Sequence, residues 1–146
     1  MGLLEAAVKT VSGGRAKFVK NQKTFRTYTG QDTACDHAII IEGQPYDIGI
    51  KRNADGTFGL IADFTMMFNT SPFKARDQQL TSLYSLYSSE SSFNTYEQNV
   101  SRFATGALLQ EYALMVAEEQ AAILGRMTNR VAGKNGSIAL EIMERA

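Results

Sequence analysis

The chain of 146 residues has no Trp, a single Cys, a single His and only two Pro. One cysteine, Cys35, excludes an intrachain disulfide framework and a zinc cluster built from several thiolates of one chain. Uninterrupted apolar runs such as Ala38 to Ile41 span only a few residues, far short of the roughly 20 that cross a bilayer. The N-terminal stretch carries Glu5 and no basic residue ahead of its apolar positions, so no secretory signal is expected. Charge of one sign is also missing, since 15 Lys and Arg balance 15 Asp and Glu. These absences set the expectation of a cytoplasmic protein with no membrane segment and no bound cofactor. Glycine-rich phosphate loops are absent too, because Ser12-Gly13-Gly14-Arg15 lacks the Lys-Ser/Thr ending.

What remains is an ordinary globular composition, 44% hydrophobic and 21% charged, at a length typical of one domain. Leu3, Leu4, Ala7, Val8 and Val11 share one helical face, and Ser12-Gly13-Gly14 ends that helix. The basic stretch from Arg15 to Tyr28 reads as two short strands or a strand and a loop. Residues 36–64 then show three β segments. Ala38 to Ile41 is β-branched, Tyr46, Ile48 and Ile50 alternate with polar or small residues, and Thr57 to Phe64 follows. Turns at Glu42-Gly43-Gln44-Pro45 and Asn53-Ala54-Asp55-Gly56 join them into an antiparallel meander. A polar insert is expected over about 65–95, with Leu80, Leu83, Tyr84 and Tyr87 spaced for a short helix. Residues 96–125 predict the longest helix, and Asn135-Gly136 marks a closing hairpin between 127–132 and 137–145. Strands grouped before and after a helix argue for α+β. The expectation is a single domain over 1–146, with one antiparallel sheet and the long helix packed across one face.

The run Tyr46-Asp47-Ile48-Gly49-Ile50-Lys51-Arg52-Asn53-Ala54-Asp55-Gly56-Thr57-Phe58, continuing through Leu60-Ile61-Ala62-Asp63, resembles the hypothetical chloroplast reading frame thirty-five family. Gln110-Glu111-Tyr112-Ala113 and Asn135-Gly136-Ser137-Ile138-Ala139-Leu140 match that family's helix, polar turn and final strand. In order and spacing the likeness covers most of 24–146. Members occur in plastids, cyanobacteria, other bacteria and phages, so a plastid stroma or a virus-infected cell would also suit. The resemblance implies a domain without assigned chemistry, and an adaptor role beside an AAA+ ATPase by association alone. This chain departs from the family where a Trp-Trp pair is usual and Phe64-Thr65-Met66-Met67 stands instead.

Four groups of residues are candidates for function. Cys35, Asp36 and His37, with Asp32 and Asp47, include metal-ligating types. Neighbours on a strand point to opposite faces, however, and the spacing matches no ligand motif. Cys35 and His37 share a face and could hydrogen-bond, yet nothing marks an activated thiol. Asp47, Lys51, Arg52 and Asp63 suggest a charged patch, with Gly49 leaving a gap in that face. Ordinary cross-strand ion pairs are the plainer explanation. Arg15, Lys17, Lys20, Lys23 and Arg26, interleaved with Phe18, Phe25 and Tyr28, could contact the phosphates and bases of a nucleic acid. Met66, Met67, Phe68 and Phe73 are apolar residues at expected loop positions, which suits a protein-binding surface. With no convergent catalytic set, the expected function is non-catalytic protein interaction, with another protein or a second copy, and nucleic-acid binding through 15–28 as the alternative.

Overall fold

A computed structural model describes residues 2–30, 32–67, 70–75 and 93–143. Its centre is the four-stranded antiparallel sheet that the alternation at 38–61 demands. The order is β1-β4-β5-β6, with β1 at Ala16–Val19, β4 at His37–Ile41, β5 at Ile48–Arg52 and β6 at Phe58–Ile61. The expected meander β4-β5-β6 is present, and β1 adds to its edge with Ala16 opposite Ile41 and Phe18 opposite Ile39. In the tight turn before β6, the Asn53 N–H donates to the Thr57 carbonyl at 2.7 Å, and Gly56 takes a φ of 87°.

Registers of Ile39 with Ile48 and of Ile50 with Leu60 put the large aliphatic side chains on one face. That face packs against two helices, α1 (Gly2–Ser12) and the long α3 (Phe93–Ile123). Leu4, Ala7 and Val8 of α1 and Leu108 of α3 join Ile39, Ile41, Ile48 and Ile50 in one buried cluster. A 31-residue helix is about 46 Å long, so α3 reaches well beyond the sheet.

The opposite face is covered too. The ribbon β2 (Thr24–Arg26) and β3 (Asp32–Ala34) brings Phe25 over Gly49, and Phe25, Cys35 and Ala38 form a second buried cluster. A Cβ at position 49 would sit 2.6 Å from Phe25 Cε1. The gap that Gly49 leaves in this face is therefore an aromatic socket and does not open to solvent.

Three further expectations are corrected here. β6 ends at Ile61, and Asp63 turns the chain into α2 (Phe64–Met67), its carbonyl accepting the Met66 and Met67 N–H groups. Residues 70–75 then pack directly on α3. The Ala75 N–H donates to the Phe103 carbonyl at 2.6 Å, the Ala107 N–H donates to the Phe73 carbonyl at 2.9 Å, and the Ser71 hydroxyl donates to the Ala104 carbonyl at 2.7 Å. Gly106 admits this strap, since a Cβ there would meet Ala75 Cβ at 2.6 Å. The beginning of the expected polar insert is thus core; the short helix expected at Leu80 to Tyr87 lies outside the described residues. The closing hairpin, β7 (Met127–Ala132) and β8 (Ile138–Met143), forms its own two-stranded sheet and does not join the main one. Its connection is a 3-10 turn at Lys134–Gly136, longer than a two-residue Asn-Gly turn.

Candidate functional site

Each candidate group has a definite place in the fold. Met67 and Phe73 are fully buried in the main cluster, because the strap at 70–75 and α2 close over the end of the sheet. They cannot form a contact surface. Met66 is 46% exposed, and Phe68 lies outside the described residues. Met66 borders a cleft of about 460 Å³ together with Tyr28, Asp63, Ser101 and Arg102.

The charged patch separates into unrelated contacts. Asp47 is buried just ahead of β5, where Arg26 grips it from β2 through Nη2 at 2.7 Å and Nε at 3.0 Å. The Arg26 backbone N–H adds a third donor at 2.9 Å. The carboxylate hydrogen bond raises the guanidinium pKa against the opposing effect of burial. Asp63 accepts the Tyr28 backbone N–H, not a lysine or arginine side chain. Lys51 and Arg52 stay exposed and meet neither carboxylate. The Arg52 backbone N–H instead donates to Asp36 Oδ2 at 2.6 Å.

These contacts also alter the basic segment. Arg26 is committed to Asp47, and Arg15 Nε donates to the Ser12 carbonyl at 3.2 Å. Lys17, Lys20, Lys23 and Tyr28 remain exposed, with the Tyr28 ring edge-on to Tyr46 at 6.2 Å.

Cys35 and His37 do not pair. The Cys35 thiol donates to the Gln22 carbonyl at 3.1 Å, and burial pushes its pKa up. That is the reverse of an activated thiolate. His37 Nδ1 accepts the Asn21 N–H at 2.8 Å, and its ring lies between Phe18 and Phe58, at 5.5 and 5.8 Å. Among the described residues no group of three or more His, Cys, Asp or Glu could hold a metal ion.

The feature that sequence reasoning missed is at the far end of α3. Ile123, Leu124, Met127, Val131, Ile142 and Met143 are between 39% and 78% exposed, and all belong to the end of α3 or to the hairpin that follows. This end is firmly held. Arg130 on β7 spans two carboxylates one heptad apart on α3, with Nη1 2.9 Å from both oxygens of Glu111 and Nη2 2.5 Å from Glu118. The Glu111 side chain is only 4% exposed. Glu118 first and then Glu111 raise the Arg130 pKa against burial, so the guanidinium stays charged at every relevant pH. Gln110 Nε2 fixes the other end of the hairpin by donating to the Gly136 carbonyl at 3.0 Å. The available signal was the spacing of Glu111 and Glu118, two carboxylates on one helix face facing a lone strand arginine. Apolar residues continuing past Gly125 were a second signal.

The fold and its sites define an α+β protein: an antiparallel sheet between two helices and a small ribbon, extended by a clamped, apolar hairpin. No family model, curated protein or solved structure matches the chain. Among the described residues no helix is long and apolar enough to cross a membrane.

Proposed function

We propose that the chain is a non-catalytic interaction protein whose contact surface is the end of α3 with the β7–β8 hairpin. One observation carries this reading: large apolar side chains stand exposed at one end of the molecule, Ile123 and Leu124 at the helix terminus and Met127, Val131 and Met143 on the hairpin face turned away from Arg130, on a framework pinned by Arg130. Contiguous exposed apolar patches on a rigid support are the usual mark of a binding surface. The resemblance to the plastid reading-frame family adds an adaptor role beside an AAA+ ATPase to the proposal. Affinity purification of the full chain from its host tests it against an Ile123→Lys/Met127→Lys double variant. Associated proteins are expected with the parent and lost with the variant; an identical set from both, or a parent that carries neither an associated protein nor a second copy of itself, would overturn the reading.

Nucleic-acid binding through 15–28 is the second reading, favoured by the exposure of Lys17, Lys20, Lys23 and Tyr28 and weakened by the commitment of Arg26 to Asp47. A salt titration with single-stranded DNA or RNA decides it. Absence of binding at low salt removes it, because phosphate contacts strengthen as salt falls.

A further inference from the structure

We infer that the open edge of β8 pairs with β8 of a second copy of this chain, producing a four-stranded sheet β7-β8-β8-β7 across a two-fold axis. This rests on the interaction reading above and names the occupant of one edge of that surface. The Gly133 N–H donates to the Ser137 carbonyl at 2.8 Å. This bond sets the alternation of the antiparallel ladder, in which directly opposed residues exchange both hydrogen bonds at every second position. With Val131 opposite Ala139 and Asn129 opposite Glu141, residues 139, 141 and 143 direct their backbone groups to β7. Ile138, Leu140 and Ile142 therefore present their N–H and C=O groups at the outer edge, where no described strand pairs with them.

A two-fold axis perpendicular to the sheet at Leu140 satisfies these groups. Leu140 then exchanges hydrogen bonds with Leu140 of the second copy, and Ile138 with its Ile142. On one face this register aligns Ile138, Leu140 and Ile142 with the same residues of the second copy in a continuous apolar row. On the other face Glu141 falls opposite Ala139, so like charges never meet across the pair.

Three more observations favour a second copy over a flat, solvated edge. β8 reads Ile-Ala-Leu-Glu-Ile-Met, without the Lys or Pro that guards natural edge strands. Two strands alone are marginal, and a second copy supplies the missing neighbours. Ile142 in the apolar row is 52% exposed, and Ile138 and Leu140 are only half-buried, so the row retains apolar surface for a second copy to cover. The pairing is isologous and uses the β8 edge of both copies, so it closes at two.

The test is sedimentation velocity and light scattering of the purified full chain from about 1 to 100 μM, the range in which micromolar association is resolved. The parent is expected at twice the mass of one chain. Ile142→Pro removes an outward N–H that β7 does not use, and Ile142→Lys places charge in the apolar row. Both are expected to weaken the dimer at least tenfold with unchanged far-ultraviolet circular dichroism. A parent that stays a monomer throughout, or a dimer that tolerates both changes in folded variants, overturns the inference. A monomeric parent that still loses its host associates with Ile123→Lys/Met127→Lys overturns only the self-pairing and leaves the interaction reading standing.

Discussion

Two hairpin ribbons dock on the body of this protein by the same device, with opposite results. In β2–β3, Arg26 reaches a buried aspartate at the head of β5; in β7–β8, Arg130 reaches a buried glutamate on α3. Each guanidinium makes a forked, charge-assisted contact that orients its ribbon as well as holding it. The difference is what accompanies the arginine. Beside Arg26, Phe25 drops into the socket over Gly49 and closes the sheet face. No aromatic side chain flanks Arg130, and the outward residues Met127, Val131 and Met143 remain in solvent. An arginine clamp positions a ribbon; apolar burial decides whether that ribbon completes a core or offers a surface.

The largest effect expected from breaking this comparison is at Phe25. Phe25→Ala empties the socket and should cost about 3–5 kcal/mol, as large-to-small aromatic changes in cores do. Gly49→Ala should cost about 1–3 kcal/mol by overpacking. The two changes should be strongly non-additive, because the second methyl fills the space that the first vacates. Chemical denaturation of the four proteins measures the coupling, and additive costs would show that Phe25 does not occupy the Gly49 socket.

At the other ribbon, Arg130→Ala strips the guanidinium from a carboxylate that is almost fully buried. The expected loss is about 1–3 kcal/mol, set by the penalty on Glu111 and reduced because Arg130 itself is one-third exposed. Arg130→Lys should recover only part of it, since an ammonium cannot fork to Glu111 and Glu118 together. Hydrogen exchange should quicken in β7 and β8 while the main sheet stays protected. Equal quickening in both would mean that the hairpin and the sheet unfold as one unit.

The same division explains what could be read from the residues. The meander was legible because Ile48 and Ile50 alternate locally and Asp55-Gly56 turns locally. The long helix was legible from its composition and its lack of proline. Contacts between distant segments were not. Met67 and Phe73 have no helical or strand period around them, so they resemble surface loop residues until α3 is laid against the strap. Asp47 carries the alternation of a solvated strand position, and only the return of the chain at Arg26 makes it a buried anchor. Asp63 looked like a strand residue, yet it caps a turn into α2, since nothing in Ala62-Asp63-Phe64 marks the end of the strand.

A smaller effect separates the two regions by pH. Cys35 lies under the β2–β3 ribbon, and burial raises its thiol pKa above the ordinary value. A group bound more tightly to its proton in the folded state adds stability below its unfolded pKa and loses it as pH rises through the folded pKa. The stability of the parent should therefore decline through and above the ordinary thiol range, near pH 8.5, as deprotonation also breaks the bond to the Gln22 carbonyl. Cys35→Ala should remove that decline without changing the stability of the C-terminal hairpin. Thiol reagents should modify the native protein at least about tenfold more slowly than the unfolded chain, because reaction requires the thiolate and access to it.

The smallest expected change in stability sharpens the comparison most. Ile123→Lys and Met127→Lys place charge on side chains that are already more than half exposed, so each should move stability by no more than about 0.5 kcal/mol. The same chemistry at a core aliphatic such as Ile48, which is completely buried, should prevent folding, because an unpaired ammonium cannot be solvated there. Thermal unfolding at one protein concentration is not sufficient, since a self-associating chain is stabilised by its own concentration. Melting must be followed across a dilution series. If the hairpin pairs between copies, Ile142→Lys loses the concentration dependence, and all three charged variants keep the dilute-limit stability of the parent. If the variants instead melt lower even at the dilute limit, these side chains are packing within one chain, and the hairpin is a second core rather than a surface.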